Sequence, residues 1–399
     1  MSSGFVITAA AAVGPHGTEL EALDAALRAG RPLCTPAGPA PLPERPRRSK
    51  VQASCRGLDL SPWLASRVAR RMSLSSQWAV VAGKIALAAA RWEGGDPSRL
   101  AVCTATCFGP TNFTRQLLAQ ILLDRPTSAS PMLFTDCVAN APSGQLAIAV
   151  QARAANITVC QREAGPLLAV GHALSELRCD RADAVVVEAV DELDEYQVTI
   201  FDRMGALAHD AEQVRPLDRR SRGYLLGEGA SSVVVEREHG ARARGVAPLC
   251  RIVAAARGFD PTAPRSGWGT GADPLASRLR AALSAAGIEP DSIGAVVSGA
   301  SGAPSADSLE CAVLRRVFGT RVPAVLLPKA VLGEYGGGTL VPGVLALRGG
   351  RFERPVHFVE AHPQVGIEPF AGELRAPGRV LITALASGGA AAWVVLESS

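Results

Sequence analysis

The chain has 399 residues, 48% of them hydrophobic and 20% charged, with a net charge of +4. So large an apolar share excludes a disordered chain, and so small a charge gives no ground for a nucleic-acid binder. The length allows two or three domains, or one large duplicated domain.

In chain order, Phe5–Ala9 is a strand; the Met-Ser-Ser-Gly start lacks the basic side chains of a signal peptide. Thr18 and Glu21 have the spacing of a capping box. The helix they would open carries Leu20, Leu23 and Leu27 on one face and stops at Gly30. Residues 31–50 are rich in proline and arginine and read as a surface loop. Arg45, Arg47, Arg48 and Lys50, then Arg67, Arg70 and Arg71, make two basic clusters without interleaved aromatics. They read as a solvated face or a docking patch for an acidic protein.

A buried helix runs from about Leu74 to Trp92, Leu100–Thr106 is a strand, and another helix starts near Asn112. A helix follows over about Gly165–Leu177, and Ala184–Val190 is a strand apolar on both faces. The second half repeats this plan: strands at Cys250–Ala255, Ile293–Val297 and Val380–Leu385, and helices at Asp273–Ala286, Asp307–Phe318 and 338–348. Gly-Ala-Ser-Ser-Val-Val-Val-Glu (229–236) resembles Gly-Ala-Ala-Ala-Trp-Val-Val-Leu-Glu (389–397). The match and the repeated order predict an α/β protein built by internal duplication, with halves at 1–240 and 241–399. The nine irregularly spaced cysteines read as buried cytosolic thiols, and Cys103 with Cys107 lacks the second pair of a zinc site. No apolar run spans a membrane, so the expected location is cytoplasmic.

Motifs for phosphate loops, nucleotides and metals are missing, and none of the six histidines has a nucleophile beside it. His172 falls in a helix and reads as a packing or interface residue. One constellation is specific. Arg215-Pro-Leu-Asp218, followed by Arg222-Gly-Tyr-Leu-Leu-Gly-Glu-Gly229, resembles a segment of the β-ketoacyl synthase family. Pro304, Asp307 and Glu310, then Lys329, Gly333 and Gly336-Gly-Gly338, then Ser387-Gly-Gly389, fall in that family's order along nearly the whole chain. The resemblance implies a thiolase-like fold, two βαβα-type repeats in five αβαβα layers.

It also implies where catalysts belong. An active member carries its acyl chain on a cysteine at a helix N-terminus and uses two histidines on the malonyl unit. Here those positions fall on Glu163, Gly299 and Glu334, and Lys329 alone is retained. Cys160 lies three residues too early. The pattern resembles the chain-length factor, or ketosynthase β subunit, of type II polyketide synthases. That subfamily has glutamine where this chain has Glu163. The resemblance implies a silent subunit paired with an active ketosynthase, with no cofactor of its own; an acyl carrier protein supplies acyl-phosphopantetheine, and neither nucleic acid nor membrane is a partner.

A buried Glu163 needs a partner or a proton. Lys329 and Arg162 are candidate partners and Glu334 a like-charge neighbour. Two readings of Glu163 stand: a polar side chain filling a dead pocket, or a carboxylate base acting with Glu334 on a carrier-bound acyl group. The resemblance places tunnel gates at Thr111, Thr114 and Leu118, whose spacing puts them on one helix face. Small Thr111 and aliphatic Leu118 would leave a longer or differently shaped tunnel; a plain core stripe has the same spacing. The helix opening with Asn140 and Gln145, running to about Ala154, resembles the family's interface helix. Strand 156–160, with Ile157 and Val159, would pair across the dimer. A purely structural partner remains a third reading of the whole chain.

Overall fold

Short runs of β-branched and small apolar residues form strands, several of them, such as Leu100–Ala105 and Ala184–Asp191, covered on both faces. The computed structural model describes residues 4–41, 46–363 and 366–399, so Arg45 lies outside the described residues. Ten strands make the main sheet: β1 (Phe5–Val13), β2 (Leu100–Ala105), β3 (Asn156–Val159), β4 (Ala184–Asp191), β5 (Gly229–Arg237), β6 (Cys250–Phe259), β7 (Ala295–Val297), β8 (Ala324–Leu326), β9 (Arg379–Leu385) and β10 (Ala390–Ser398). Their order is β8-β7-β9-β10-β6-β1-β5-β4-β2-β3.

The order reads the same outward from the middle. In β1-β5-β4-β2-β3 the first two pairs are antiparallel and the last two parallel. In β6-β10-β9-β7-β8 the directions repeat. The two sets join where β1 meets β6, at Phe5↔Ile252, Val6↔Arg251 and Ile7↔Cys250. The matching segments 229–236 and 389–397 therefore lie on equivalent strands, β5 and β10.

The helices that matter are α1 (Leu20–Ala29), α2 (Leu74–Ala89), α3 (Thr111–Ala119), α4 (Ala141–Ala149), α5 (Gly165–Arg178), α6 (Glu195–Arg203), α7 (Ala272–Ala285), α8 (Pro304–Phe318) and α9 (Leu340–Ala346). Helices α2 and α4 cover one outer face, with Trp78, Val80 and Leu146 in its core. Helices α7 and α8 cover the other, around Leu279, Val313 and Trp393. Between them, α5 and α9 bury Leu167, Leu174, Val341 and Leu345 against both sets of strands. This is the five-layer αβαβα, thiolase-like arrangement. The α2–α4 crossing needs Gly83, since a Cβ there would stand 2.4 Å from Leu146 Cδ1. Among the described residues no helix is long and apolar enough to cross a membrane.

Several expectations need correction. Thr18 does not cap α1: Gly14 and Gly17 exchange backbone hydrogen bonds in a tight turn, and Glu19 becomes the N-cap without a side-chain bond. Helix α2 ends at Ala89, because Arg91 takes φ 49 and Trp92 N–H turns back to Leu87 O. Helix α4 stops at Ala149 and α9 is confined to Leu340–Ala346, the latter bracketed by left-handed Gly338 and Gly349. Strands β1 and β6 run longer than their apolar runs suggested, because each pairs along its length with an antiparallel neighbour. The cysteines are not uniformly buried, since Cys160 and Cys179 are exposed.

A charged residue interrupts the apolar run of β4. Glu188 is 1% exposed and accepts hydrogen bonds from Thr104 Oγ1 (3.2 Å) and Ser232 Oγ (3.1 Å). Burial pushes its carboxyl up from 4.5 to about 8, against the lowering effect of those two bonds. The folded chain therefore keeps a proton that the unfolded chain releases above its ordinary pKa. Stability from this group is full below pH 4.5 and drains as pH rises toward 8. Glu188→Gln should raise stability at pH 8 by about 2–4 kcal/mol, with the gain shrinking toward pH 5. Urea unfolding at both pH values checks this; parallel pH curves for parent and variant would contradict it.

Candidate functional site

The motif that carries the family resemblance has a structural task. Leu225–Gly227 pairs with Glu334: Glu334 N–H donates to Leu225 O and Gly227 N–H to Glu334 O, both at 2.7 Å. Gly227 has no alternative, since a Cβ would lie 2.2 Å from Leu332 O. The same motif is anchored at both ends by buried acids. Asp218 accepts from Val359 N–H (2.7 Å) and Arg220, and Glu228 accepts from Leu193 N–H (2.9 Å) and Ser54 Oγ. The result is a fixed turn that aims the Glu334 side chain into the centre of the fold.

Glu163 arrives from the other half. It sits in the turn Arg162–Ala164 that opens α5, and left-handed Arg162 (φ 48) bends the chain so that Glu163 points inward. Its Oε1 accepts from Tyr335 Oη at 2.8 Å, and its Oε2 from Ser387 N–H at 3.0 Å. Arg162, an expected partner, turns away, and its Nη1 donates to Ser387 O (2.9 Å) and Ser387 Oγ (2.8 Å). Lys329, the other expected partner, spends its ammonium on Glu334 Oε1 at 2.5 Å and reaches Glu163 only through its field. Cys160 lies one residue past β3, on the surface.

Charge in this centre is unevenly balanced. Burial pushes the Glu163 carboxyl above its ordinary range; Glu334 adds to the rise and Lys329 opposes it. Burial also raises Asp191 to about 7 and lifts Glu310. Burial works to discharge Lys329, but Glu334, Glu163 and Glu310 outweigh it and hold the ammonium charged. Such a lysine is neither base nor nucleophile. Gly299 stands beside Glu310, whose Oε1 accepts from Gly299 N–H (3.0 Å) and Ser298 Oγ (2.6 Å). A side chain at Gly299 would start 2.9 Å from Thr383 O, so this position has no room for an imidazole as it stands. Cys107 lines the same cavity as Glu163. Burial, Asp191 and Glu163 push its thiol far above its ordinary range, so it holds its proton.

Two cavities meet near this centre. One, about 390 Å³, reaches from Glu163 and Tyr335 to a rim with Arg162 and Arg222. The other is an apolar groove of about 630 Å³ that brings Thr111, Thr114 and Leu118 together with Leu122, Leu123 and Ile200. The three expected gate residues thus share one wall. Thr114 Oγ1 is fixed on Cys137 O at 2.7 Å, and Thr111 Oγ1 on Glu192 O at 3.3 Å. Beyond Leu118 the helix widens into a π turn, Gln120–Asp124, which leaves Leu122 and Leu123 76% and 82% exposed.

The expected interface residues lie further along the same stretch of chain. Asn140 precedes α4 and is exposed; Gln145 donates to Asp136 Oδ1 at 3.1 Å. Strand β3 ends the sheet and pairs only with β2 among the described residues. Ile157 and Val159 pack their side chains into the central core, so β3 offers an outer edge of backbone rather than those side chains.

Tyr335 and Asp191 went unread in the sequence. The chain has three tyrosines, and two of them, Tyr224 and Tyr335, line the 390 Å³ cavity. Tyr335 directly follows Glu334 and adopts φ 68, a rare backbone state for a residue of its bulk. Its place beside Glu163 comes from a contact spanning 172 residues.

The five layers, the turn before α5 and the Lys329–Glu334 turn together define a ketosynthase-type centre on a thiolase-like fold. Residues 3–241 match the family model of the β-ketoacyl synthase N-terminal domain, and the chain belongs to the β-ketoacyl synthase family. It is 30% identical to the actinorhodin polyketide putative beta-ketoacyl synthase 2 of Streptomyces coelicolor, over 75% of this chain and 78% of that one. Among solved structures it resembles the ishigamide ketosynthase/chain length factor, with TM-score 0.89, 24% identity and coverage of 100% and 99%. A further likeness is to a type II polyketide synthase acyl-carrier protein in complex with its ketosynthase bound to the hexaketide: TM-score 0.88, 16% identity, full coverage of both chains.

Proposed function

We propose that this chain is a chain-length factor: a catalytically silent ketosynthase-like subunit that pairs with an active ketosynthase and shapes the acyl tunnel, with an acyl carrier protein delivering the chain. The observation that carries this is Glu163. At the head of α5, where an active relative holds its thiolate, stands a carboxylate already engaged by Tyr335 Oη and Ser387 N–H. A carboxylate cannot hold a transferable thioester, and Lys329 is spent on Glu334. Silence alone does not require a tunnel role. That part is supported by the groove wall of Thr111, Thr114 and Leu118, which opens on the surface that also exposes Leu122 and Leu123.

Two experiments test the parts separately. The purified chain should neither elongate a malonyl-primed acyl carrier protein nor form a covalent acyl adduct; either activity would overturn its silence. Coexpressed with the ketosynthase, Thr111→Phe should shorten the major product by at least one ketide unit while the complex stays intact. Unchanged product length in an intact complex would leave a purely structural partner. Loss of product with Glu163→Ala in an intact complex would instead mark Glu163 as a working acid or base.

A further inference from the structure

The groove at Thr111 and the cavity at Glu163 are separated by two side chains. Phe108 and Phe201 line both spaces, their rings meeting edge to face at 5.8 Å and 74°. Phe108 also meets Tyr335 edge to face at 5.1 Å, and Phe201 meets Tyr224 at 6.2 Å. The loop carrying Phe108 is pinned by Asp191, whose Oδ1 accepts from Thr106 Oγ1 (3.0 Å), Cys107 N–H (2.8 Å) and Phe108 N–H (3.1 Å). The partition is therefore a built feature.

Behind it the cavity is left unfilled. Its volume, about 390 Å³, lies within the roughly 300–1,000 Å³ of small-molecule sites. Phe108, Phe201, Tyr224, Trp268 and Tyr335 surround it. The Trp268 indole N–H is already satisfied by Leu385 O at 2.8 Å, so the ring offers an apolar face with no stray donor. At the inner end the polar groups are Glu163 and Tyr335. Each Glu163 oxygen has accepted one hydrogen bond and keeps a second lone pair. A hydroxyl can donate there. A carboxylate at the inner end would meet Glu163, with Glu334 and Asp191 behind it; Lys329 is already paired with Glu334, and at the rim Arg162 is turned to Ser387 and Arg222 donates to Ser221 O.

We propose that this cavity is a binding site in its own right, for a slender aromatic or polyunsaturated chain whose inner end is a neutral hydroxyl. It excludes the corresponding carboxylate. The site does not depend on the tunnel reading, because Phe108 and Phe201 stand between it and the gate wall.

Isothermal titration of the full-length chain with cinnamyl alcohol and with cinnamate, a matched neutral and anionic pair, tests this. The alcohol should bind at least about tenfold tighter than the acid. Glu163→Gln should narrow that gap by improving cinnamate. Ala303→Phe fills the cavity from a buried lining position, and Met204→Trp fills it from an exposed one that folding does not depend on. Each should weaken alcohol binding by about tenfold or more. The proposal is overturned if neither compound binds at millimolar concentration, if cinnamate binds as tightly as the alcohol, or if Met204→Trp leaves alcohol binding unchanged.

Discussion

Lys329→Met should be among the most damaging single changes in the chain, lowering stability by about 3–5 kcal/mol. Lys329 is 5% exposed, and its ammonium lies 2.5 Å from Glu334 Oε1. It is also the cation that Glu163 and Glu310 feel. Without it Glu334 is left buried and without its ion-pair partner beside Glu163. The cost should therefore grow with pH, because Glu163, whose carboxyl is already raised by burial and by Glu334, loses the cation that opposes that rise. The double variant Lys329→Met/Glu334→Gln removes both charges and should recover at least about 2 kcal/mol of that loss. Urea midpoints of parent, two single variants and the double variant form the cycle, compared at equal slope. Strict additivity would show that the ion pair is not what holds this turn.

The positions of Lys329 and Glu334 were legible because they lie on or beside a fixed family landmark, and that of Glu163 because it falls just before the helix over about Gly165–Leu177, where the family places its cysteine. Their partners were not. Charge logic offered Arg162 to Glu163, but the left-handed turn at Arg162 sends the guanidinium to Ser387, and a neutral phenol takes its place. Glycines in the motif near Gly227 and Gly333 marked a tight approach without saying what approached what. Local capping signals misled in one place and were missed in another. Thr18 and Glu21 have the right spacing but sit on a Gly14–Gly17 turn. Asp194 and Gln197 form a true capping box, which starts α6 despite its β-branched and aromatic residues. The gate wall was readable as a helical stripe; the partition by Phe108 and Phe201 was not, since it joins two elements through side chains alone.

The second large effect concerns the exposed leucines. Leu122→Asp/Leu123→Asp should leave the isolated chain as stable as the parent, within about 0.5 kcal/mol, because both side chains are mostly in water. The complex with the ketosynthase should be lost. Fully burying one leucine contributes about 1.5–3 kcal/mol, and each aspartate would also have to shed its water. Together the two changes should weaken association at least about a thousandfold. The π turn at Gln120–Asp124 is what presents the pair; a regular helix would carry them on around its axis. Copurification with a tagged ketosynthase reads the result directly. If the variant copurifies at the parent's ratio, this face does not meet the partner, and the gate wall of Thr111, Thr114 and Leu118 in the same groove loses its claim to border a shared tunnel. If the complex is lost while the variant melts with the parent, the groove lies at the interface, and the effect of Thr111→Phe on product length can be read as a change in the tunnel rather than in assembly.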